Sequence, residues 1–175
     1  LTIGGGISTI SDIKKVLDAG ADKVSINSAA LNSVAFIDEA SKIFGSQRLV
    51  CSIDVKKNKG VYRVFSKSQG SLDINPLDLA KKYQEHGAGE ILLTSVDNEG
   101  TMQGYDIELI KMFKGNLKIP IILNGGMGSP SHAVKAIQNG ADAIAAAYIF
   151  HFSRFTPDDI KEKMAGANIP VRRGT

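Results

Sequence analysis

The sequence contains a single cysteine, Cys51, and no tryptophan. One cysteine excludes an internal disulfide framework and a metal site built from paired cysteines, and it suits a reducing cytoplasm. No apolar run approaches the roughly 18 residues of a membrane span, and no run of Lys and Arg exceeds two residues. With a net charge of +3, these absences predict a cytoplasmic protein that binds neither a membrane nor nucleic acid.

Short apolar runs alternate with amphipathic stretches along the whole chain. Such continuous runs are typical of parallel strands that are covered by helices. Six runs are strand candidates, at residues 1–3, 23–26, 49–53, 90–93, 119–123 and 143–146. They predict an α/β fold: a TIM-type (βα)-barrel fragment with a parallel sheet and about six of the eight βα units, in one domain over residues 1–175.

Capping residues mark the ends of several helices. Ser11 is predicted to cap a helix over residues 12–19. Three further N-caps are followed by proline, at Asn75, Ser129 and Thr156. Three glycines are predicted to end helices, at Gly20, Gly87 and Gly140. Asn58 and Gly60 predict a β-hairpin over residues 57–66.

An internal repeat relates the two halves of the chain. The turn Gly4-Gly5-Gly6-Ile7-Ser8 matches Gly125-Gly126-Met127-Gly128-Ser129, and Gly20-Ala21-Asp22 matches Gly140-Ala141-Asp142. A duplication of about four βα units explains both matches, and it points to a barrel of two similar halves.

Ligands of parallel α/β folds bind at the C-terminal ends of the strands. Glycine turns before helices suit a phosphate there, although a tight turn that needs glycine for steric reasons is the alternative. The predicted phosphate-binding and substrate-binding residues are Gly5, Gly6, Asn27, Ser28, Thr94, Ser95, Gly125 and Gly126. Two such sites on opposite sides of the mouth imply a substrate with a phosphate at each end.

Asp54 directly follows a buried strand and faces this mouth, where a carboxylate suits general acid–base catalysis. An ion pair with Lys56 and a capping role are the alternatives. Asp97 and Glu99 either hold substrate hydroxyls or form a solvated loop. No metal site or cofactor is expected, because the histidines lack ligand-like neighbours.

Several motifs resemble the cyclase subunit of imidazole glycerol phosphate synthase, of the HisA/HisF-type histidine biosynthesis family. They are the segments 1–7, 20–27 and 87–95, Asp106 after Gly104-Tyr105, and the stretch from Phe150 to Arg172. The resemblance covers essentially the whole chain. It corresponds to the last six βα units, so we expect that sequence upstream of Leu1 is missing.

The resemblance implies a lyase that joins ammonia from a glutaminase partner to a bis-phosphorylated ribulosyl aminoimidazole carboxamide. Asp54 matches one of two catalytic aspartates, and the other would precede Leu1, so we expect little activity of the chain alone. The resemblance also implies phosphate binding at Gly5, Asn27, Thr94, Gly126 and Ala147, and ammonia gating by Lys23 and Glu90. Without it, a salt bridge that serves stability is the plain interpretation of Lys23 and Glu90.

The sequence departs from the family at several positions. Tyr148 stands where a serine is usual, Asn124 and Met127 replace small residues, Glu99 replaces an aspartate, and the stretch 67–75 lacks a Thr-Gly pair.

Residues 52–57 also resemble paralogues that feed ammonia to sugar amidination. A non-catalytic phosphate-binding barrel fragment that self-assembles is a further alternative. Because six strands close a barrel poorly, we expect a homo-oligomer.

Overall fold

The computed structural model describes residues 1–172. Its strands are β1 (Thr2–Gly4), β2 (Lys23–Ile26), β3 (Leu49–Asn58), β4 (Val61–Ser66), β5 (Gly70–Ser71), β6 (Glu90–Ser95), β7 (Ile121–Asn124) and β8 (Ala143–Ala145). Its α-helices are α1 (Ile10–Asp18), α2 (Ser28–Asn32), α3 (Val34–Phe44), α4 (Pro76–Glu85), α5 (Ile107–Phe113), α6 (Pro130–Gln138), α7 (Tyr148–Phe152) and α8 (Pro157–Gly166). A short 3₁₀ helix spans Ser46–Arg48.

Six parallel strands form the sheet in the order β1-β2-β3-β6-β7-β8, and they curl into a half-barrel. This arrangement confirms the predicted partial TIM-type barrel and all six strand candidates. The predicted hairpin is also present, because β4 pairs antiparallel with the extended end of β3 and then with β5. Within residues 1–172, β1 and β8 each pair with one strand only, so they are the two edges of the parallel sheet.

The hydrophobic core lies between the sheet and the helices. Alternate residues of β2, β3, β6 and β7 point into it, such as Ile53 on β3 and Leu93 on β6, and the same core includes Tyr83 and Phe113 on the helices. The other face of the sheet is concave and largely polar. Because side chains alternate across a strand, every second residue of β2, β3, β6 and β7 faces this concave side.

Helix caps follow the predictions with one exception. The Asn75 side chain accepts hydrogen bonds from the amides of Leu77 and Asp78, Thr156 forms a capping box with Asp159, and Ser129 is the N-cap residue of α6 although its side chain makes no capping bond. The three predicted glycines follow their helices at positive φ.

The predicted cap at Ser11 is wrong, because Thr9 caps α1 and Ser11 lies inside the helix. A capping box needs an acceptor three residues after the cap. Asp12 provides that acceptor for Thr9, whereas the residue three positions after Ser11 is Lys14, which can only donate. None of the helices between residues 1 and 172 has the length and hydropathy that a membrane crossing requires.

Candidate active site

A row of polar side chains crosses the concave face at the C-terminal ends of four neighbouring strands. Asp54 on β3 is paired in register with Thr94 on β6, and Thr94 is paired with Asn124 on β7. The Asn27 amide, after β2, donates to Asp54 Oδ2 at 3.0 Å, and the Asn124 amide donates to Thr94 Oγ1 at 3.2 Å. The strand register therefore brings together three predicted site residues and adds Asn124.

Asp54 is half-buried, and this burial raises the pKa of its carboxyl above the ordinary value. The hydrogen bond from Asn27, the positive charge of Lys67 and a hydrogen bond from Thr94 oppose the shift. The ammonium of Lys56 lies 5.6 Å from the centroid of the Phe65 ring, and no ion pair of Asp54 with Lys56 is found among residues 1–172. A carboxyl with a raised pKa is suited to proton transfer near neutral pH.

The first cavity lies beside Asp54 at the ends of β1, β2 and β3, and its volume is about 780 Å³. Gly5 and Gly6 line it with φ of 104° and 69°, and a Cβ built on either glycine would meet no atom within 4 Å. Glycine is therefore needed for the backbone conformation, and the space above the turn is open. Asn27 and Ser28 line the same cavity.

The second glycine turn is packed more tightly than the first. Gly125 and Gly126 also have positive φ, but a Cβ on Gly125 would lie 2.6 Å from the carbonyl oxygen of Ser95, and one on Gly126 would lie 2.2 Å from that of Gly104. The cavity at this turn measures about 80 Å³. At this second turn glycine is therefore needed for steric reasons, in addition to its backbone conformation. The two halves of the sequence repeat thus differ in the space that they leave for a ligand.

Tyr148 and Glu99 help to explain the smaller second cavity. Both line it together with Ala147. The Tyr148 ring stacks on Phe152 with 4.3 Å between the ring centroids, and it lies 3.6 Å from the point where a Cβ on Gly100 would stand. The wall of the second cavity thus carries an aromatic ring and a carboxylate.

Ser95 and Asp97 support the loop after β6. Ser95 is buried, and its hydroxyl donates a hydrogen bond to Asn98 Oδ1 at 3.1 Å. Although Ser95 is a predicted substrate-binding residue, it lines neither of the two cavities. Asp97 Oδ2 accepts a hydrogen bond from the amide of Lys57 at 2.7 Å. This contact supports neither a bond to substrate hydroxyls nor a merely solvated loop, because the Asp97 carboxylate ties the hairpin end of β3 to the loop after β6.

The hairpin contributes contacts that sequence reasoning missed. The Tyr62 hydroxyl donates to Asp106 Oδ1 at 2.8 Å, and Lys57 pairs with Glu108 at 2.6 Å. Lys67, in the turn between β4 and β5, lines the first cavity. The available signal was a lysine in a hairpin that follows the strand of Asp54.

Lys23 and Glu90 form an ion pair at the opposite, N-terminal end of the strands. They line a third cavity of about 520 Å³ together with Asp22, Gln47 and Arg48. The salt bridge between Lys23 and Glu90, which their positions in the sequence predict, is therefore present. It lies at the end of the half-barrel opposite Asp54. Within residues 1–172, no three His, Cys, Asp or Glu side chains are grouped so that they could hold a metal ion.

Comparison with known proteins identifies the family. Residues 1–156 match the model of the family described as histidine biosynthesis protein. The chain is 55% identical to the "Putative imidazole glycerol phosphate synthase subunit hisF2" of Campylobacter jejuni over 172 residues, which cover 98% of this chain and 69% of the relative.

Two further relatives, from other organisms, support the same family assignment. The chain is 48% identical to the imidazole glycerol phosphate synthase subunit HisF of Leptospira biflexa over 98% of this chain and 69% of that protein. It is 43% identical to the HisF subunit of Thermococcus onnurineus over 98% of this chain and 68% of that protein. The chain therefore belongs to the histidine biosynthesis protein family, among the HisF subunits of imidazole glycerol phosphate synthase.

Proposed function

We propose that the chain provides a cyclase site that joins ammonia to a bis-phosphorylated ribulosyl aminoimidazole carboxamide and splits it into two products: imidazole glycerol phosphate, and a purine precursor that departs with the aminoimidazole carboxamide and the second phosphate. The observation that carries the proposal is the polar row, because it connects the first cavity, lined by Asp54, to the second cavity, lined by Asn124. A substrate with a phosphate at each end would lie along this row with its reacting centre near Asp54.

Asp54 is the proposed acid–base group. The hydrogen bond from Asn27 fixes the orientation of its carboxylate, and burial raises its pKa, so that it can accept a proton during ring closure and return it to the departing group. Backbone N–H groups of Gly5 and Gly6 would bind one phosphate, since glycine lets an anion approach the main chain closely. The turn at Gly125 and Gly126, with Ala147, would bind the other.

A glutaminase subunit is the proposed partner. Two features support docking at the N-terminal face of the strands: the third cavity opens there, and the Lys23–Glu90 ion pair stands at its wall. Ammonia released by the partner would pass this pair to reach Asp54 at the other end of the half-barrel. The family membership supports this kind of partner, since the relatives are subunits of a synthase.

Asp54→Asn tests the proposal. We expect the variant to bind the bis-phosphorylated substrate within about twofold of the unchanged chain, and to lose roughly 10²–10⁴-fold in turnover because the acid–base group is absent. Binding is measured by calorimetry, which works even if turnover is slow. Turnover is measured with an ammonium salt and, separately, with glutamine and the glutaminase subunit.

Asp18→Asn is the control, because Asp18 lies on the exposed surface of α1 and pairs with Lys14. It should change neither binding nor turnover. Failure of the unchanged chain to bind the substrate, or measurable turnover that is equal in the chain and its Asp54→Asn variant, would contradict the proposal.

A further inference from the structure

The turn between β4 and β5 forms part of the wall of the first cavity. Ser66, Lys67 and Ser68 line it there. Among the described residues that line the cavity, Lys67 carries the only positive charge and Asp54 the only negative charge. The hairpin thus brings a cation to a cavity whose remaining wall is uncharged and consists of glycines, small polar side chains and the apolar Ile7, Ala29 and Phe36.

The hairpin is anchored firmly enough to hold this turn in place. Strand β4 pairs with β3 over four residues, and Val64 at its centre is buried in the core. The bonds from Tyr62 to Asp106 and from the Lys57 amide to Asp97 tie the same hairpin to the β6–α5 loop. Lys67 itself is an exposed residue of the turn, and the pairing of Ser66 with Gly70 closes that turn at the end of the packed strand β4.

Neighbouring cations of the hairpin are engaged elsewhere. The Lys56 ammonium lies over the Phe65 ring, Lys57 pairs with Glu108, and Arg63 pairs with Asp73 at 2.9 Å. For Lys67, no ion pair is found within the part of the chain that the structure describes, and its charge acts on the Asp54 carboxyl across the cavity. Its ammonium group is thus available to an anion bound there.

We propose that Lys67 is a specificity-determining residue that binds the substrate phosphate held by the Gly5–Gly6 turn in the first cavity. The inference rests on the proposed function and extends it to one side chain. A lysine suits the role, because its flexible stem carries three donors and charge-assisted bonds to phosphate are strong. The second cavity differs, since its described lining residues include the Glu99 carboxylate and no lysine or arginine, so phosphate affinity should be concentrated in the first.

Titration of the isotope-labelled full chain with inorganic phosphate tests the assignment. We expect the backbone amide signals of Gly5 and Gly6 to shift, and we expect Lys67→Gln to weaken phosphate binding about tenfold, because a charge-assisted bond is lost. Lys67→Arg keeps the charge and should restore most of the affinity. Lys59→Gln is the matched control, since Lys59 is exposed in the β3–β4 turn at the other end of the hairpin.

Three results would overturn the assignment: unchanged phosphate affinity in Lys67→Gln, an equal loss in Lys59→Gln, or phosphate shifts that leave Gly5 and Gly6 unaffected. The experiment does not depend on turnover. A chain without cyclase activity whose phosphate affinity falls in Lys67→Gln would support the role of Lys67 while contradicting the proposed function. An active chain with unchanged phosphate affinity in Lys67→Gln would support the proposed function and contradict the role of Lys67.

Discussion

At the scale of single residues, Asp54 combines a catalytic position with a cost to stability. Its carboxyl is half-buried, and the hydrogen bond from Asn27 only partly offsets the effect of burial on its pKa. Proteins often retain such destabilising groups where activity requires them. The same environment that suits Asp54 for proton transfer therefore makes its charged form unfavourable in the folded chain.

Asp54→Asn should increase the free energy of unfolding near neutral pH and have little effect at low pH. The pKa of Asp54 is raised above 3.8 in the folded chain, so the folded state holds a proton that the unfolded state releases. Stability is therefore lost as pH rises from about 3.8 through the folded-state pKa. Asparagine cannot ionise, yet its side-chain oxygen can still accept the bond from Asn27.

Melting temperatures of the unchanged chain and the variant, measured from about pH 3 to about pH 8, check the sign of this linkage. Asp18→Asn, which removes a carboxylate from the surface of α1, is the control. If the unchanged chain gained stability relative to Asp54→Asn as pH rose, the carboxylate would be stabilised by its partners and the argument from burial would fail.

At the scale of elements, the two glycine turns have the same sequence pattern but different packing. The first turn faces open space, whereas the second lies against the carbonyl oxygens of Ser95 and Gly104. Gly126→Ala should therefore cost about 3 kcal/mol or more, because a Cβ that overlaps backbone forces the turn to move. Gly5→Ala meets only the conformational penalty of positive φ, roughly 1–2 kcal/mol.

Urea unfolding gives the free energy of unfolding of each variant, calculated from the midpoint and the slope of its transition. Because both glycines have φ near 100°, the conformational penalty is similar and the difference isolates the steric contribution. Equal losses in the two variants would mean that the second turn can move without cost.

Much of this element structure could be predicted from the sequence. Continuous apolar runs identified all six parallel strands, and the Asn75–Pro76 and Thr156–Pro157 pairs identified two helix starts, because those signals act within a few residues. Ser11 was misassigned because both Thr9 and Ser11 are good caps and only the reach of Asp12 decides between them. The hydrogen bond between Asn124 and Thr94 depends on the register of β6 and β7, which no local pattern specifies.

The candidate site shows the same limit. Asp54, Asn27 and Thr94 can be predicted because each directly follows an apolar run in the sequence, and the C-terminal ends of parallel strands meet at one edge. In the structure Asp54 and Thr94 lie inside β3 and β6, which extend beyond those runs. Lys67 was missed because its relevance depends on how the hairpin folds back over the cavity. The packing of Gly126 against Gly104 was also hidden, since a glycine in the sequence does not reveal whether space or conformation requires it.

At the scale of the whole molecule, β1 and β8 are the edges of the parallel sheet that residues 1–172 form. Unpaired strand edges beside apolar side chains favour pairing with another chain. Two apolar side chains near β1 are exposed, Leu1 at 74% and Ile3 at 37%, and α7 beyond β8 exposes Phe152 at 65%. An isologous contact between two copies would cover one such surface on each.

We therefore expect the chain to self-associate, most simply as a dimer. Light scattering across a concentration series should give a mass above that of one chain, and Ile3→Lys should shift the association midpoint to about tenfold higher concentration or beyond, because a lysine on an edge strand opposes pairing. Ile43→Lys is the matched control: Ile43 is 56% exposed on α3, away from both edges, so its replacement should leave association unchanged. A compact monomer at every concentration, with no binding of a hydrophobic dye, would contradict the expectation. An equal effect of both lysine variants would instead trace association to general surface charge and not to the β1 edge.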